Sequence, residues 1–378
     1  MTPEEFALLK QSGHMLEEYI NQEPAQVALQ TGIAPLASWI KTLQKCRTKL
    51  PEYYAARCIV PQISYEQCTS QAVAMSREFG GGALAVDLTC GLGVDSWALS
   101  KSFKKVLAVE IDPLRAAIAR HNFELLGVDN IEVVVECAED FVTKFRGKAD
   151  FIFIDPARRD GQGQKIYSPQ QSSPNVVELL PRLKEISKRI VIKLSPLFDV
   201  AECWHIFGQE IAVEVVSQKG ECREVVVHIG SESPKTITNT IVGGDNGVQR
   251  LTYPYNTEPP TAPIDVERNY LSLPDVAFYK SRTVSWLIKG ENAIYDNYIF
   301  SSQALTGLPL RCFKINQVMN YKPKELKKVL RSQGITSATI YMRGTRYSME
   351  RVRKELALKE GTEATFFLTR DSVYFVTL

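Results

Sequence analysis

The alternation of apolar and polar residues changes along the chain and divides it into distinct segments. In residues 1–78, apolar side chains recur at helical spacing between prolines, which predicts an N-terminal helical region. From Gly80 to Gly230, short apolar runs alternate with helical stretches, as in a mostly parallel sheet covered by helices on both faces. The last two runs are joined by residues 218–223, too few for a helix, so we expect antiparallel neighbours at the end of the sheet.

Beyond this sheet the pattern predicts a connecting segment followed by a second, smaller domain. From Ser231 to about Pro263 the composition shifts to Thr, Gly, Pro and Asn, which indicates irregular strands. After residue 300 strands alternate with two helices, the first ended by Gly334 and the second capped by Ser348. We therefore predict an α/β protein in four parts: an N-terminal helical region (1–78), the sheet domain (79–230), a connecting α+β region (231–300) and a small α+β domain (301–378).

The composition is typical of a globular protein of the cytoplasm. Of the 378 residues 44% are hydrophobic and 23% charged, and no apolar run reaches the ~18 residues of a membrane span. The acidic N-terminus does not resemble a signal peptide. The eight cysteines form no Cys-x-x-Cys and the four histidines form no cluster, so we expect reduced thiols and no metal.

The charge is distributed unevenly. Residues 301–378 hold 14 Lys and Arg against 6 Asp and Glu, a net +8, which leaves −6 for the remainder of a chain of formal charge +2. A basic module on an acidic enzyme-sized chain suggests a polyanion partner, although a solvated helix face is the alternative. With Tyr321, Tyr341 and Tyr347 interleaved, the module suits folded RNA. The predicted phosphate contacts are Lys324, Lys328, Arg331 and Arg343.

The most informative stretch is residues 85–99, AVDLTCGLGVDSWAL. A strand ends at Asp87, a turn carries Gly91 and Gly93, and a helix begins near Val94. The third glycine of the dinucleotide fingerprint is missing, and Asp87 puts a carboxylate where a pyrophosphate would come near. The turn therefore favours a cationic ligand without phosphate.

The end of the second strand supports a nucleoside ligand. Glu110 ends the run KVLAVE, 19 residues beyond Gly91, where a carboxylate can accept both hydroxyls of a ribose.

The strings DLTCGLGVD, AVEIDP and FIFIDPARRD, in this order, resemble the motifs of class I S-adenosylmethionine-dependent methyltransferases. The resemblance implies a Rossmann-like sheet with an antiparallel last strand, S-adenosylmethionine as cofactor and S-adenosylhomocysteine as product. Many members carry an acidic adenine contact where Cys137 stands here, so Glu139 or Asp140 is expected to replace it. The expected cofactor contacts are Gln67, Asp87, Thr89, Gly91, Gly93, Asp95, Glu110, Glu139 and Asp155.

Residues 155–159 stand where enzymes that methylate exocyclic amines carry Asp-Pro-Pro-aromatic. Asp155 and Pro156 are kept, and the resemblance implies catalytic roles for both, together with Arg158. Arg159 and Tyr167 could bind substrate in place of the missing aromatic residue. Alternatively, the two arginines form an ion-pair lid over Asp155.

A further resemblance covers residue 60 to the C-terminus. DPARRDG, KLSP, GECREVVV and YLSLPDVAFYKS are similar to a bacterial methyltransferase family with a THUMP-like RNA-binding C-terminal domain. The glycine-turn region is also similar to RNA cap guanine-N2 methyltransferases, which carry an aromatic residue in the catalytic motif that is missing here.

Two cysteines lie near the predicted site. Methylation of a pyrimidine carbon needs a thiolate nucleophile, but neither Cys90 nor Cys222 stands in a recognised pattern, so we interpret both as small packing residues. The leading hypothesis is a methyltransferase acting on a base in structured RNA, tRNA or rRNA. The alternatives are a methyltransferase for a protein or small molecule, and a catalytically silent RNA-binding protein.

Overall fold

The computed structural model describes residues 1–157, 169–243, 247–255, 257, 268–288, 292–295, 297–343, 345–370 and 372–377. The chain forms two compact units, Met1–Thr252 and Tyr253–Leu378. Each unit is built on a sheet of its own.

Helices surround the sheet of the first unit, and the first seven precede its first strand, as predicted. They are α1 (Pro3–Ser12), α2 (Leu16–Tyr19), α3 (Pro24–Thr31), α4 (Ala34–Lys49), α5 (Pro51–Ala55), α6 (Gln62–Gln67), α7 (Gln71–Ser76), α8 (Val94–Ser100), α9 (Pro113–Leu125), α10 (Ala138–Lys144), α11 (Val176–Ile186) and α12 (Glu202–Phe207). The strands are β1 (Gly82–Asp87), β2 (Phe103–Glu110), β3 (Ile131–Val135), β4 (Phe151–Ile154), β5 (Ile190–Leu194), β6 (Ile211–Gln218), β7 (Glu221–Ile229), β8 (Thr236–Val242) and β9 (Val248–Pro254).

The N-terminal helices share one core with the sheet. Asn122 on α9 fastens the two parts together, because its side chain accepts from the amide of Ile59 at 2.8 Å and donates to the carbonyl of Ile59 at 2.9 Å. Trp39 on α4 donates its indole N–H to the carbonyl of Cys58 at 2.8 Å. The helical region is thus packed into the same unit as the sheet domain.

The strand order in the first unit is β3-β2-β1-β4-β5-β7-β6-β8-β9. β1 pairs in parallel with β2 and β4, with Asp87 opposite Ala108 and Phe153. The carboxyl ends of these strands therefore share one edge of the sheet, where open α/β sheets bind ligands. β7 runs antiparallel to both β5 and β6, so the predicted pairing of the last two apolar runs is confirmed.

That pair does not end the sheet, contrary to the sequence expectation. β8 pairs in parallel with β6, from Ala212 opposite Thr236 to Gln218 opposite Val242, and β9 follows beyond it. The boundary predicted at Ser231 therefore lies inside a unit, because the Thr-rich stretch 236–242 has enough alternating apolar residues to join the sheet edge.

The second unit holds one sheet of order β11-β12-β10-β13-β17-β16-β14-β15 in its described part. Its strands are β10 (Tyr270–Pro274), β11 (Ala293–Tyr295), β12 (Tyr298–Ser301), β13 (Leu310–Asn320), β14 (Ser337–Met342), β15 (Lys359–Glu360), β16 (Ala364–Leu368) and β17 (Ser372–Thr377). Its helices are α13 (Val276–Lys280), α14 (Pro323–Ser332) and α15 (Met349–Leu356).

The element order predicted after residue 300 is present. Oγ of Ser348 caps α15 by accepting from the amide of Arg351 at 3.2 Å, and Gly334 follows the end of α14 with φ +70°. β10 pairs with both β12 and β13, so the boundary predicted at 300/301 falls within this sheet. The predicted connecting region 231–300 is thus divided between the two sheets.

Among the described residues, no helix is both long enough and apolar enough to cross a bilayer.

Candidate active site

The candidate site lies at the carboxyl edge of the first sheet, where the turn after β1 faces the ends of β2, β4 and β5. Asp87 holds this turn through two hydrogen bonds. Its Oδ1 accepts from the amide of Thr89 at 3.0 Å, and its Oδ2 accepts from the hydroxyl of Ser96 at 2.6 Å. Its carboxyl group is fully enclosed, and burial raises the pKa of Asp87 to about 7. Asp87, which was predicted to contact the cofactor, therefore stabilises the turn through the amide of Thr89 and the hydroxyl of Ser96.

The two glycines of the turn have different surroundings. Gly93 has φ +89°, and a Cβ there would lie 2.5 Å from the ring of Phe123. Gly91 has φ +56°, and a Cβ there would point into open space, with the carbonyl of Thr89 its nearest neighbour at 4.0 Å. Packing thus requires glycine at 93, whereas at 91 glycine leaves the backbone accessible to a ligand.

Glu110, at the end of β2, is tied to this turn. Oε2 accepts from the amide of Gly91 at 2.9 Å, and Oε1 accepts from the amide of Asp112 at 2.9 Å. Arg115 on α9 pairs with Oε1 at 2.8 Å. The next residue, Ile111, is 62% exposed, so a carboxylate and an apolar side chain adjoin one another beside the turn.

The loop after β3 also places Glu136, which the sequence analysis did not single out, beside the end of β2. The amide of Glu136 donates to the carbonyl of Glu110 at 3.1 Å, and Glu136 forms an ion pair with Lys144. Glu139 lies half-buried in the first turn of α10, and Asp140 is exposed. Cys137 caps that helix, its sulfur accepting from the amide of Asp140 at 3.4 Å.

Asp155, directly after β4, is held at two points. Its amide donates to Oγ1 of Thr89 at 2.7 Å, and Oδ2 accepts from Nζ of Lys193 at 2.5 Å. Lys193 belongs to β5, and its side chain is only 4% exposed, against 25% for Asp155. Pro156 is buried behind this position.

Lys193 begins a network of charges that runs to the segment before β1. Nζ also donates to Oγ1 of Thr69 at 2.9 Å, and Thr69 donates to Oδ2 of Asp95 at 2.8 Å. Arg77 forms ion pairs with Asp95 and, at 2.8 Å, with both carboxylate oxygens of Glu224 on β7.

Charged neighbours oppose the effect of burial on the pKa values of Asp95, Lys193 and Glu224. Burial alone would raise the pKa of Asp95, but Arg77 and Lys193 bring it below its usual range. Burial likewise lowers the pKa of Lys193, but Asp155, Asp95 and Glu224 raise it above its ordinary value. Glu224 has a raised pKa because burial outweighs its cationic neighbours.

The structure brings together most of the described residues that were predicted to bind the cofactor, namely Asp87, Thr89, Gly91, Gly93, Asp95, Glu110 and Asp155. Gln67 is exposed at the end of α6, and Thr69 accepts a hydrogen bond from Lys193. Arg158, Arg159 and Tyr167 lie outside the described residues.

Sequence reasoning missed four members of the network: Thr69, Arg77, Lys193 and Glu224. Lys193 and Glu224 stand in the strings KLSP and GECREVVV, which were noted only as part of the resemblance. A lysine within the apolar run RIVIKL was the available signal, because lysine is almost never fully buried without a partner.

Two of the described cysteines near this edge, Cys90 and Cys68, are poor nucleophiles. Burial raises the pKa of Cys90 well above its ordinary value. Burial also raises the pKa of Cys68, although Lys49 and Lys193 oppose it. Such thiols carry little thiolate at neutral pH. Cys222 is half-buried on β7.

The basic residues of the second unit are mostly exposed. Lys324, Lys328 and Arg331 lie on the surface of α14. Arg343 instead covers the ring of Tyr279, with its guanidinium carbon 3.5 Å from the ring centroid. The three interleaved tyrosines pack within the unit: Tyr321 against Tyr347 at 4.7 Å between centroids, and Tyr341 against Phe367 at 4.6 Å.

Across the described ranges, no three His, Cys, Asp or Glu side chains are grouped as metal ligands would be.

Two family comparisons match different parts of the chain. Residues 310–377 match the family described as THUMP domain-like, which covers β13 to β17. Residues 71–160 match the tRNA (uracil-5-)-methyltransferase family, which covers the turn after β1 and the end of β4.

Individual relatives cover different shares of the chain. A methyltransferase from Mycobacterium tuberculosis (strain CDC 1551 / Oshkosh), described as S-adenosylmethionine-dependent and uncharacterised, is 26% identical over 312 residues, 81% of this chain and 82% of that protein. A tRNA/tmRNA (uracil-C(5))-methyltransferase from Actinobacillus pleuropneumoniae serotype 5b (strain L20) is 31% identical over 136 residues, only 30% of this chain and 37% of that protein.

A crystal structure described as a methyltransferase from Porphyromonas gingivalis W83 has the same fold. It superposes with a TM-score of 0.80 at 21% identity, over 99% of this chain and 97% of that one. The chain is therefore a class I S-adenosylmethionine-dependent methyltransferase with a C-terminal THUMP-like domain.

Proposed function

We propose that this protein methylates a base in structured RNA, either tRNA or rRNA. The observation that carries the proposal is the hydrogen bond from the amide of Asp155 to Thr89. It joins the residue that would hold the methyl acceptor to the turn that would hold the donor. Catalysis of this kind depends mostly on positioning the two reactants.

The residues at the sheet edge suit S-adenosylmethionine. Gly91 leaves its backbone open to a ligand, Glu110 offers a carboxylate for ribose hydroxyls, and Ile111 offers an apolar surface for a base. The described charge network contains three carboxyl groups, on Asp95, Asp155 and Glu224, against the two cations Arg77 and Lys193. An excess of carboxylate favours a cationic ligand over a phosphate.

When bound, S-adenosylmethionine supplies a methyl group already activated by its sulfonium. The protein then has to bind the acceptor, orient it and accept its proton. Asp155 is more exposed than the carboxylates of Asp95 and Glu224, and its anchored main chain fixes where an acceptor amine would be held.

Several features favour RNA as the substrate. Lys324, Lys328 and Arg331 form an exposed basic face on α14, of the kind that contacts phosphates. The same segment matches the THUMP-like family, and the cofactor half matches enzymes named for tRNA methylation.

A nitrogen acceptor fits the described site better than C5 of uracil. Methylation at C5 needs a thiolate that adds to the pyrimidine ring. The pKa values of Cys68 and Cys90 are raised by burial, whereas the carboxylate of Asp155 is accessible. The match to uracil methyltransferases covers only part of the chain, so it supports a shared cofactor half and leaves the acceptor chemistry open.

The test is transfer of labelled methyl from S-adenosylmethionine to total RNA from cells that lack this gene, with nuclease and protease controls. We expect nuclease-sensitive label, and digestion to nucleosides would identify the methylated atom. Label in protein or small metabolites would contradict the RNA proposal and indicate a methyltransferase that acts on a protein or a small molecule. RNA binding without label in any fraction would favour the silent RNA-binding protein.

A further inference from the structure

Lys193 is a buried cation, and the packing of the fold alone does not explain why the free-energy cost of burying its charge is tolerated. It lies in β5 between the parallel strand β4 and the antiparallel strand β7, and its side chain is 4% exposed. Removing an ammonium group from water is costly, and a buried ion pair is seldom more stable than apolar residues of similar volume. Strand β5 is otherwise an apolar run, so a residue such as methionine would pack here at lower cost.

The ammonium group points at the candidate catalytic residue. Nζ donates to Oδ2 of Asp155 at 2.5 Å and to Oγ1 of Thr69 at 2.9 Å. Lys193 thus holds one carboxylate oxygen of Asp155. The hydrogen bond from the amide of Asp155 to Thr89 fixes the main chain of the same residue. Among the described residues, the other oxygen, Oδ1, has no hydrogen-bond partner, so it is available to an acceptor.

We infer that Lys193 is a positioning residue for methyl transfer, which acts by fixing the carboxylate of Asp155 toward the acceptor. The inference rests on the proposed methyl transfer through Asp155, but it does not depend on which molecule is methylated. Thr69 extends the arrangement, because it connects Lys193 to Asp95 and hence to Arg77 and Glu224. The segment before β1 therefore helps to hold the catalytic carboxylate in place.

The chemical step shows why the orientation of Asp155 matters. The acceptor nitrogen uses its lone pair to bond the methyl carbon, and the electron pair of the carbon–sulfur bond stays on sulfur. The proton that the nitrogen loses goes to Oδ1 of Asp155, which releases it to solvent. An Asp155 side chain free to rotate would hold the acceptor in several orientations, few of them in line with the donor.

The charged groups around Lys193 define the expected pH dependence. Asp155, Asp95, Glu224 and Arg77 act on the charge of Lys193, and the thiol of Cys68 lies close enough to be affected by it. Removing the cation takes away the positive charge next to Asp155. Loss of a positive charge makes ionisation of a neighbouring carboxylate less favourable, so the acidic limb of the pH profile of kcat should move to higher pH.

The test compares Lys193→Met, Lys193→Gln and Lys193→Arg with the wild type in the methyl-transfer assay. The matched control is Lys188→Met, an exposed lysine just before the same strand. We expect Lys193→Met to lower kcat about 30-fold, to keep the Kd of S-adenosylhomocysteine within about threefold, and to shift the acidic limb upward. Lys193→Arg should recover part of the lost kcat, and Lys188→Met should match the wild type. If Lys193→Met does not fold, Lys193→Gln, which keeps a donor without the charge, takes its place.

Two results would overturn the inference. One is a kcat within about threefold of wild type for Lys193→Met or Lys193→Gln. The other is a fall in kcat that parallels a loss of S-adenosylhomocysteine binding, with the pH profile unmoved, since this indicates a merely structural role.

The assay also distinguishes failure of the inference about Lys193 from failure of the proposal that the substrate is RNA. If the wild type labels protein or metabolites rather than RNA, the RNA proposal fails, and the kcat comparison is made on the labelled fraction. If the wild type binds S-adenosylhomocysteine but labels no fraction, both proposals fail.

Discussion

The amide of Asp155 donates a hydrogen bond to Oγ1 of Thr89 over 2.7 Å, joining residues 66 positions apart in the sequence. Thr89 belongs to the turn after β1, and its own amide donates to the enclosed carboxyl of Asp87. One side chain thus connects the carboxyl ends of the neighbouring strands β1 and β4. The relative placement of donor and acceptor in the proposed reaction depends on this contact.

Replacing Thr89 should therefore slow transfer without preventing cofactor binding. Thr89→Val keeps the shape of the side chain but removes the acceptor, so we expect kcat to fall about tenfold. Thr89→Ser keeps the hydroxyl and should stay close to wild type. Steady-state kinetics with parallel calorimetry of S-adenosylhomocysteine would test this, and equal kcat values for the Val and Ser variants would contradict it.

Gly93→Ala should destabilise the fold. The new Cβ would stand 2.5 Å from the Phe123 ring on a backbone with φ +89°. We expect the free energy of unfolding to fall by about 2–4 kcal/mol, from backbone strain plus overpacking. Gly127→Ala is the control, because φ is +65° there but nothing lies within 4 Å of the added Cβ. Urea unfolding of both variants should show the larger loss for Gly93→Ala, and equal losses would refute the packing argument.

Reversing charge on α14 should weaken RNA binding. For Lys324→Glu combined with Lys328→Glu, we expect the Kd for bulk tRNA to rise about tenfold or more, with a shallower salt dependence. The control reverses Lys104 and Lys184, two exposed lysines placed toward the opposite edge of the first sheet from the candidate site. Filter binding at several salt concentrations measures both quantities. Unchanged binding in the α14 variant would remove this helix from the RNA surface.

Stability should depend on pH through Glu214 on β6. Burial opposes ionisation, but the hydrogen bonds from His228 at 2.9 Å and Thr240 at 2.5 Å help to lower the pKa of Glu214 from 4.5 to about 2. A lowered folded-state pKa stabilises the protein above the unfolded value, and this contribution is lost as the pH falls from about 4.5 toward 2. We expect Glu214→Gln to cost about 1–3 kcal/mol at pH 7 and progressively less below pH 4.5. A cost that is the same at pH 3 and pH 7 would contradict this assignment.

Local pattern was sufficient to predict the residues at the strand ends. Asp87, Glu110 and Asp155 each follow or end an apolar run, and parallel strands bring their carboxyl ends to one edge. The order of elements in the second unit was also readable, because Gly334 and Ser348 act on the chain next to them.

The features that the sequence did not predict depend on contacts between distant segments of the chain. Thr69 meets Lys193 across 124 positions and Arg77 meets Glu224 across 147, and no local pattern encodes either pair. The extension of the first sheet by β8 likewise depends on a parallel pairing with β6 that the Thr-rich composition concealed.

The central claim is that Asp155 serves methyl transfer to RNA. The measurement that tests it most directly is the rate of label transfer from S-adenosylmethionine to RNA from cells lacking this gene, by wild type and by Asp155→Ala. S-adenosylhomocysteine binding is measured on the same preparations. We predict nuclease-sensitive transfer by the wild type, and loss of transfer in the variant with its S-adenosylhomocysteine affinity largely intact. Wild-type turnover by Asp155→Ala, or no label in RNA with either protein, would contradict the claim.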